Sequence, residues 1–429
     1  MPKHINRLAL FSIFLDNLYL PIQLGFDFRL NYLFYLAFIL YYLISYQKIR
    51  LSIKGAITFV LISAFLFFIP LFKGGSVSGF LKQSLLICLN LSFSVCLLNA
   101  YKFDLKRICK DYLLIVKVIA IVSIVQLISL KTGFFYGADF SYLGFDMGNF
   151  DFSVQNRIQA WFQEPSFLAY AIMPAVLIAL ASLFGITSMS SKKNSIFILI
   201  TLILTGSSIG ILGLLIALSI VLFSKYPILK RPVYLVLMIS LVPIMAVVAY
   251  QVPEVKNRID DTASLFLNDN PTTDDIDKTN LSTYALYSNY RVTKKTFLEN
   301  IVLGTGIGTY EADYDQHINT VIPESPIRDR YQLNKKDANS LFLRLLAETG
   351  ILGVFFTFLF IYNKRIRYKT IVKTGNGFLW AFNNGILVLI LLRLLRQGHY
   401  TSLGFVLFLL VFYLSKKEMN NYERTVTVV

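Results

Sequence analysis

VPIMAVVAYQVPEVKNRIDD, residues 242–261, is the stretch on which the reading of this chain turns. Its first half is apolar. At Gln251 the character changes, and the chain stays largely polar as far as Ala338. Along that polar stretch lie Arg258, Asp260, Asp261, Asp274, Asp275, Arg291, Lys294, Lys295, His317, Arg328, Arg330 and Asp337. On both sides the sequence returns to long runs of Leu, Ile, Val and Phe. A polar segment of this size between such runs is most simply a loop that leaves a membrane, folds against it and re-enters.

The rest of the composition agrees. Of 429 residues, 55% are hydrophobic, 15% aromatic and only 15% charged, and the mean hydropathy is +0.60. Soluble domains carry about 25% charged residues. Several apolar runs approach the roughly 20 residues needed to cross a hydrocarbon core. The fold expected is therefore an all-α integral membrane protein. Twelve spans are read, at 7–22, 29–46, 55–72, 79–100, 111–130, 165–185, 193–206, 208–224, 231–250, 339–362, 377–395 and 399–415. Three regions follow: 1–250 with nine spans and a smaller loop at 131–164, the large loop 251–338, and 339–429 with the last three spans and a tail. No cleavable leader is visible, because the N-terminal run leads straight into the first span.

The net charge of +16 does not point to nucleic acid. The basic residues sit in short clusters between spans, among them Lys102, Lys106, Arg107 and Lys110, then Lys192 and Lys193, then Lys364, Arg365 and Arg367. That pattern is the positive-inside rule, and it puts both termini on the cytoplasmic side and loops 131–164 and 251–338 outside. It also separates spans seven and eight at Thr205-Gly206-Ser207-Ser208, since one broken helix would put basic clusters on the wrong side. Tyr41, Tyr42, Tyr46, Trp161 and Tyr362 are expected as interfacial anchors. Three scattered histidines and the cysteines Cys88, Cys96 and Cys109 offer no metal-ligand set.

Three groups of residues can carry chemistry. At the outer end of span six, Arg157 precedes Glu164-Pro165-Ser166. Proline suits the first turn of a helix, so Glu164 is either a helix cap at a positive dipole end or a catalytic base. A second group is Arg291 with Lys294 and Lys295, on a helix expected over 282–299 with Tyr287, Val292, Phe297 and Leu298 as its apolar face. The glycines 304, 306 and 308 then give a flexible turn. A third group runs from Arg328 and Arg330 through Asp337 and Asn339 to Arg344 and Glu348. The last two are four residues apart on one helix face, and are either a structural pair or a functional site inside the membrane. Arg393, Arg396 and His399 add charge on the same side, and His317 is the one histidine of the large loop, expected at the surface. So many arginines near carboxylates suit an anionic, phosphate-bearing substrate.

Three stretches together resemble the O-antigen polymerase and ligase superfamily of bacterial polysaccharide assembly: Arg157 to Ser166, Arg291 to Tyr310, and Asn339 to Gly353. The order of parts, with a large outer loop late in the chain, is similar too. The resemblance implies a GT-C-like membrane glycosyltransferase of the bacterial cytoplasmic membrane, facing outward and needing no metal or other cofactor. Its substrate would be a glycan linked to undecaprenyl pyrophosphate, with membrane lipids, a flippase and chain-length regulators as partners and no nucleic acid. It implies that Arg157, Arg291 and one or more of Arg328, Arg330 and Arg344 hold pyrophosphate, that Glu164 is the base, and that Asp337 or His317 stands in reserve. Asn339, Arg393, Arg396 and His399 would complete the substrate surface. Two positions depart from the pattern. Ligases typically have a His where Asn339 stands, which favours a polymerase, and an Arg common after the broken seventh span is replaced by Ser207-Ser208.

Overall fold

The computed structural model describes residues 3–23, 27–46, 69, 76–148, 150–152, 157–226, 253–268, 271–325 and 332–428. The expected spans 55–72 (Ile69 apart) and 231–250 lie outside these residues. The described residues are helical apart from one small hairpin and the loops between elements. Its helices are α1 (Lys3–Ser12), α2 (Leu30–Tyr46), α3 (Val77–Ala100), α4 (Leu105–Thr132), α5 (Pro165–Leu183), α6 (Lys192–Leu204) and α7 (Ser208–Lys225). Then follow α8 (Pro253–Phe266), α9 (Thr273–Lys278), α10 (Leu281–Glu299) and α11 (Tyr310–Val321). The last are α12 (Leu341–Lys364), α13 (Tyr368–Thr374), α14 (Gly377–Leu395) and α15 (Phe405–Val428). Among the described residues, six stretches are long and apolar enough to cross a membrane: α3, α4, α5, α7, α14 and the run Leu341–Ile371 that contains α12.

The first expected span is not one helix. α1 has 10 residues, about 15 Å at 1.5 Å per residue, and β1 (Tyr19–Gln23) then pairs antiparallel with β2 (Asp27–Arg29). The reason lies in Asp16 and Asn17, which are buried and need polar partners. Asp16 pairs with Arg29 at 2.7 Å, and Asn17 donates to the carbonyls of Asp146 and Trp161. A continuous helix in lipid offers neither. The last expected span also starts late, because residues 396–404 form a loop and α15 begins at Phe405.

Helices α5 and α14 form the centre and pack on each other most extensively. Both are almost wholly buried, which fits helices apolar on every side. Pro174 inside α5 frees backbone groups. The Tyr112 hydroxyl enters the ladder beside it, donating to the Ala171 carbonyl at 2.9 Å and accepting from the Ala175 N–H at 3.3 Å. Asn383 of α14 donates to Lys364 O, Phe412 O and Ser415 Oγ, tying α12 and α15 to the centre.

Helices α6 and α7 turn back on each other. Thr205 and Ser208 lie at the end of the bundle where Arg157 and Glu164 sit, whereas Lys225 returns to Phe184 at the other end. The separation read from the charge pattern is therefore the observed one. Trp161 and Tyr42 are not interfacial anchors: both are buried, and Trp161 stacks on Phe162 and donates to the Phe14 carbonyl.

The described part of the large loop is a layer of four helices on α12. Leu265, Ile276, Tyr284, Tyr287 and Ile322 make one small core. Val292, Tyr310, Tyr314, Leu343 and Ala347 join the layer to α12 in a second. Helix α10 has the expected bounds but not the full expected face: Tyr287 and Val292 are buried, while Leu298 is exposed. The glycine turn is a wedge, not a flexible link. Gly304 and Gly308 have φ of 69° and 83°, and a Cβ there would stand 2.5 Å from the Ala347 oxygen and 2.4 Å from the Gly79 oxygen. Gly350 breaks α12 with φ 60° and ψ −162°, which lets Ile301 O accept from Ile351 N–H at 2.9 Å.

Candidate functional site

A polar cleft opens where the loop layer meets the helix bundle. It has two lobes, of about 270 Å³ and 330 Å³. Gln163, Glu164, Ser166, Ser282 and Arg396 line both, so the lobes are one continuous space. Arg157 and Ser208 line the first, and Tyr170, Asp337, Asn339, Gln397 and His399 the second. The first turns of α5, α7 and α10 form part of the wall, through Ser166, Ser208 and Ser282. Helix N-termini carry partial positive charge and suit anions.

The segment 157–166 is held by buried amides. Gln126 of α4 donates to the carbonyls of Ala138 and Ala160 and accepts from the N–H groups of Gln159 and Ala160. Gln159 donates to the carbonyls of Met147 and Phe162. Glu164 occupies the cap position of α5, yet its side chain makes no capping hydrogen bond. Its carboxylate is exposed and accepts from the Ser166 hydroxyl at 3.0 Å. Its carboxylate therefore meets the positive end of α5 without a capping hydrogen bond. Arg157 is exposed, and its Nε donates to the Thr205 carbonyl at the α6–α7 turn. An arginine thus reaches the point where Ser207 and Ser208 lack one.

On the facing wall, Asp337 is buried and held by N–H groups from Asn339 (3.2 Å) and Gly398 (3.1 Å). His399 Nε2 lies 3.6 Å from Asp337 Oδ2. Burial pushes the imidazole down to about 4, against the opposing pull of the Asp337 carboxylate. His399 is therefore neutral at pH 7. Ala338 and Asn339 both have positive φ, 58° and 57°, and such strain collects at functional sites. Two buried amide donors in this lobe, Asn339 Nδ2 and Gln397 Nε2, have no hydrogen-bond partner among the described residues. Nor does the Arg396 guanidinium; its backbone carbonyl accepts from Tyr170 Oη at 2.7 Å. A buried donor left unpaired costs about 1–3 kcal/mol.

The cleft gathers Arg157, Glu164, Asp337, Asn339, Arg396 and His399. Other expected site residues stand elsewhere. Arg291 lines neither lobe, and donates to Tyr287 Oη at 2.7 Å within α10. His317 is buried against Glu299 at 3.3 Å, not at the surface. Arg393 is buried and binds the 396–404 loop through His399 O, Ser402 Oγ and Ser402 O. Arg344 is buried too. It pairs with Glu348 at 3.0 Å and also donates to Gly398 O and Gln83 Oε1. Arg328 and Arg330 lie outside the described residues. Sequence reasoning missed Gln397, Gln126 and Asp313. Asp313, under the glycine turn, accepts from Thr305 Oγ1 at 2.6 Å, and burial pushes its carboxyl up to about 6. A lone amide in an apolar run was the available signal for Gln126.

The apolar helices define a multi-span helical membrane protein, with a polar cleft at one end of the bundle. Residues 193–358 match the sequence model of a family described as O-antigen ligase, and this part of the chain is similar to that family. That match covers α6, α7, the loop layer and most of α12, and so includes one side of the cleft. The superfamily acts in polysaccharide assembly on lipid-linked glycans. No curated protein matches the chain.

Proposed function

We propose that the protein is a polysaccharide polymerase. It joins glycan repeat units carried on undecaprenyl pyrophosphate at the outer face of the bacterial cytoplasmic membrane, with both termini inside. The observation that carries this reading is the exposed Glu164 carboxylate, which makes no capping hydrogen bond and shares both lobes with the Arg396 guanidinium, unpaired among the described residues. Glu164 removes the proton from the acceptor hydroxyl. The acceptor oxygen then bonds to the anomeric carbon as the bond from that carbon to the pyrophosphate oxygen breaks. Arg157 and Arg396, with the N-terminal ends of α5, α7 and α10, stabilise the charge on the departing pyrophosphate. Asn339 and Gln397 donate to substrate oxygens in the second lobe. Arg344 and Arg393 act as positioning residues, and Arg291 supports the loop layer.

With His317 remote, the reserve base is Asp337 acting beside neutral His399. Asparagine at position 339, where ligases typically have histidine, favours polymer growth over transfer to a final acceptor. The test is incubation of purified protein with lipid-linked repeat units, resolved as a ladder. Glu164→Gln should lower chain extension by about 10²–10⁴-fold and leave single units on the carrier. A full ladder from that variant overturns the reading. Long chains moved intact to a second acceptor, with no extension, would identify a ligase.

A further inference from the structure

At the end of the bundle opposite the cleft, α4 and α6 enclose a groove of about 240 Å³ lined by Lys110, Leu113, Leu114, Lys117, Asn194 and Phe197, among others. We propose that this groove binds one anionic phospholipid, with its phosphate between Lys110 and Lys117 and an acyl chain along Leu114 and Phe197.

The argument begins with the face of α4. Leu114, Val118, Ile121, Val125 and Ile128 are all exposed, and their spacing is that of one helical stripe. A stripe so apolar and so exposed faces lipid. Lys110 and Lys117 lie on the same side of the helix, seven residues apart, and both are exposed. Helix α6 adds a matching face in Ile196, Ile200 and Ile203. The groove therefore opens toward hydrocarbon rather than toward the protein interior.

Lys117 stands twelve residues into α4, about 18 Å from its start. A cation at that depth is costly and by default functional. Neither Lys110 nor Lys117 makes a hydrogen bond or ion pair among the described residues. Side chains on a helix lean toward its N-terminus, so the Lys117 ammonium lies nearer the α4 start than its Cα does. Two ammonium groups along one apolar groove, with Asn194 as a neutral donor, match a phosphate carrying acyl chains. Basic pockets between membrane helices recognise headgroups in this way. The positive end of α6, capped by Ser191 and followed by Lys192 and Lys193, adds to the field.

The test uses the full chain in mild detergent, by native mass spectrometry with added phosphatidylglycerol or phosphatidylcholine. The expected result is one retained phosphatidylglycerol and no comparable retention of phosphatidylcholine. The Lys110→Gln/Lys117→Gln variant should weaken retention at least about tenfold, at about 1 kcal/mol per lysine, whereas Lys416→Gln/Lys417→Gln should retain it. Leu114→Trp, which fills the groove without altering charge, should also release the lipid, so a folding failure in the double variant leaves the proposal open to refutation. Equal retention of both lipids, undiminished retention by both groove variants, or displacement of the lipid by inorganic phosphate alone would each overturn it.

Discussion

At the scale of single residues, the cleft sets two titratable side chains in different surroundings. Glu164 is exposed with one hydroxyl neighbour. His399 is part-buried beside Asp337 and is pushed down to about 4. An imidazole so depressed has its lone pair available across the whole neutral range. Its protonation should therefore leave no limb near pH 6.5 in the rate profile. With Glu164 as the base, His399→Gln should leave the shape of the rate profile across the neutral range unchanged. A wild-type limb near 6.5 that the variant abolishes would contradict the depressed imidazole. The same shift predicts a stability effect. A histidine whose folded pKa is depressed stabilises the fold fully above its unfolded value of about 6.5. That stability is lost as pH falls toward 4. Tm measured between pH 7 and 5 should fall, and His399→Gln should make that fall shallower.

At the scale of elements, the glycine turn shows what periodicity can and cannot reveal. The sequence marks a turn at 304–308, but not that it is wedged between α3 and α12. Gly304→Ala must hold an alanine at positive φ and also push back the Ala347 carbonyl. Strain of the first kind alone costs about 1–3 kcal/mol, so Tm should drop by several degrees, and chain extension should fall with it if the turn holds the loop layer in place. An unchanged Tm would show that the turn gives way. Long apolar helices such as α5 and α14 were legible because their length and hydropathy are local properties. The first expected span failed because hydropathy cannot see that Asp16 and Asn17 bond to residues more than a hundred positions away. The site divides in the same way. Glu164-Pro165-Ser166 and the Asp337–Asn339 run were visible as motifs. Gln397 and the loss of Arg291 from the cleft depend on packing between distant helices, and isolated residue types carry no record of that.

At the scale of the whole molecule, the Arg344–Glu348 pair joins the parts that form one wall of the cleft. Glu348 is fully buried and also accepts from Tyr400 Oη at 2.7 Å and from the Tyr310 N–H at 3.4 Å. Arg344 reaches α3 through Gln83 and the 396–404 loop through the Gly398 carbonyl. Its guanidinium also sits over the Tyr400 ring, 4.4 Å from the centroid. One ion pair thus connects α3, the loop layer, α12 and the loop that carries Arg396, Gln397 and His399. Removing one partner leaves an uncompensated charge away from water, which costs about 3–5 kcal/mol. Arg344→Met should accordingly lower Tm sharply. Replacing both members by apolar residues, as in Arg344→Met/Glu348→Leu, removes that penalty and should restore much of the loss. Chain extension by the double variant then separates the two roles open to Arg344. A positioning residue predicts that activity recovers in part with Tm, because the wall is rebuilt by packing. A pyrophosphate contact predicts that Tm returns while extension stays lost. Since the described donors of Arg344 already have protein partners, partial recovery is the expected outcome.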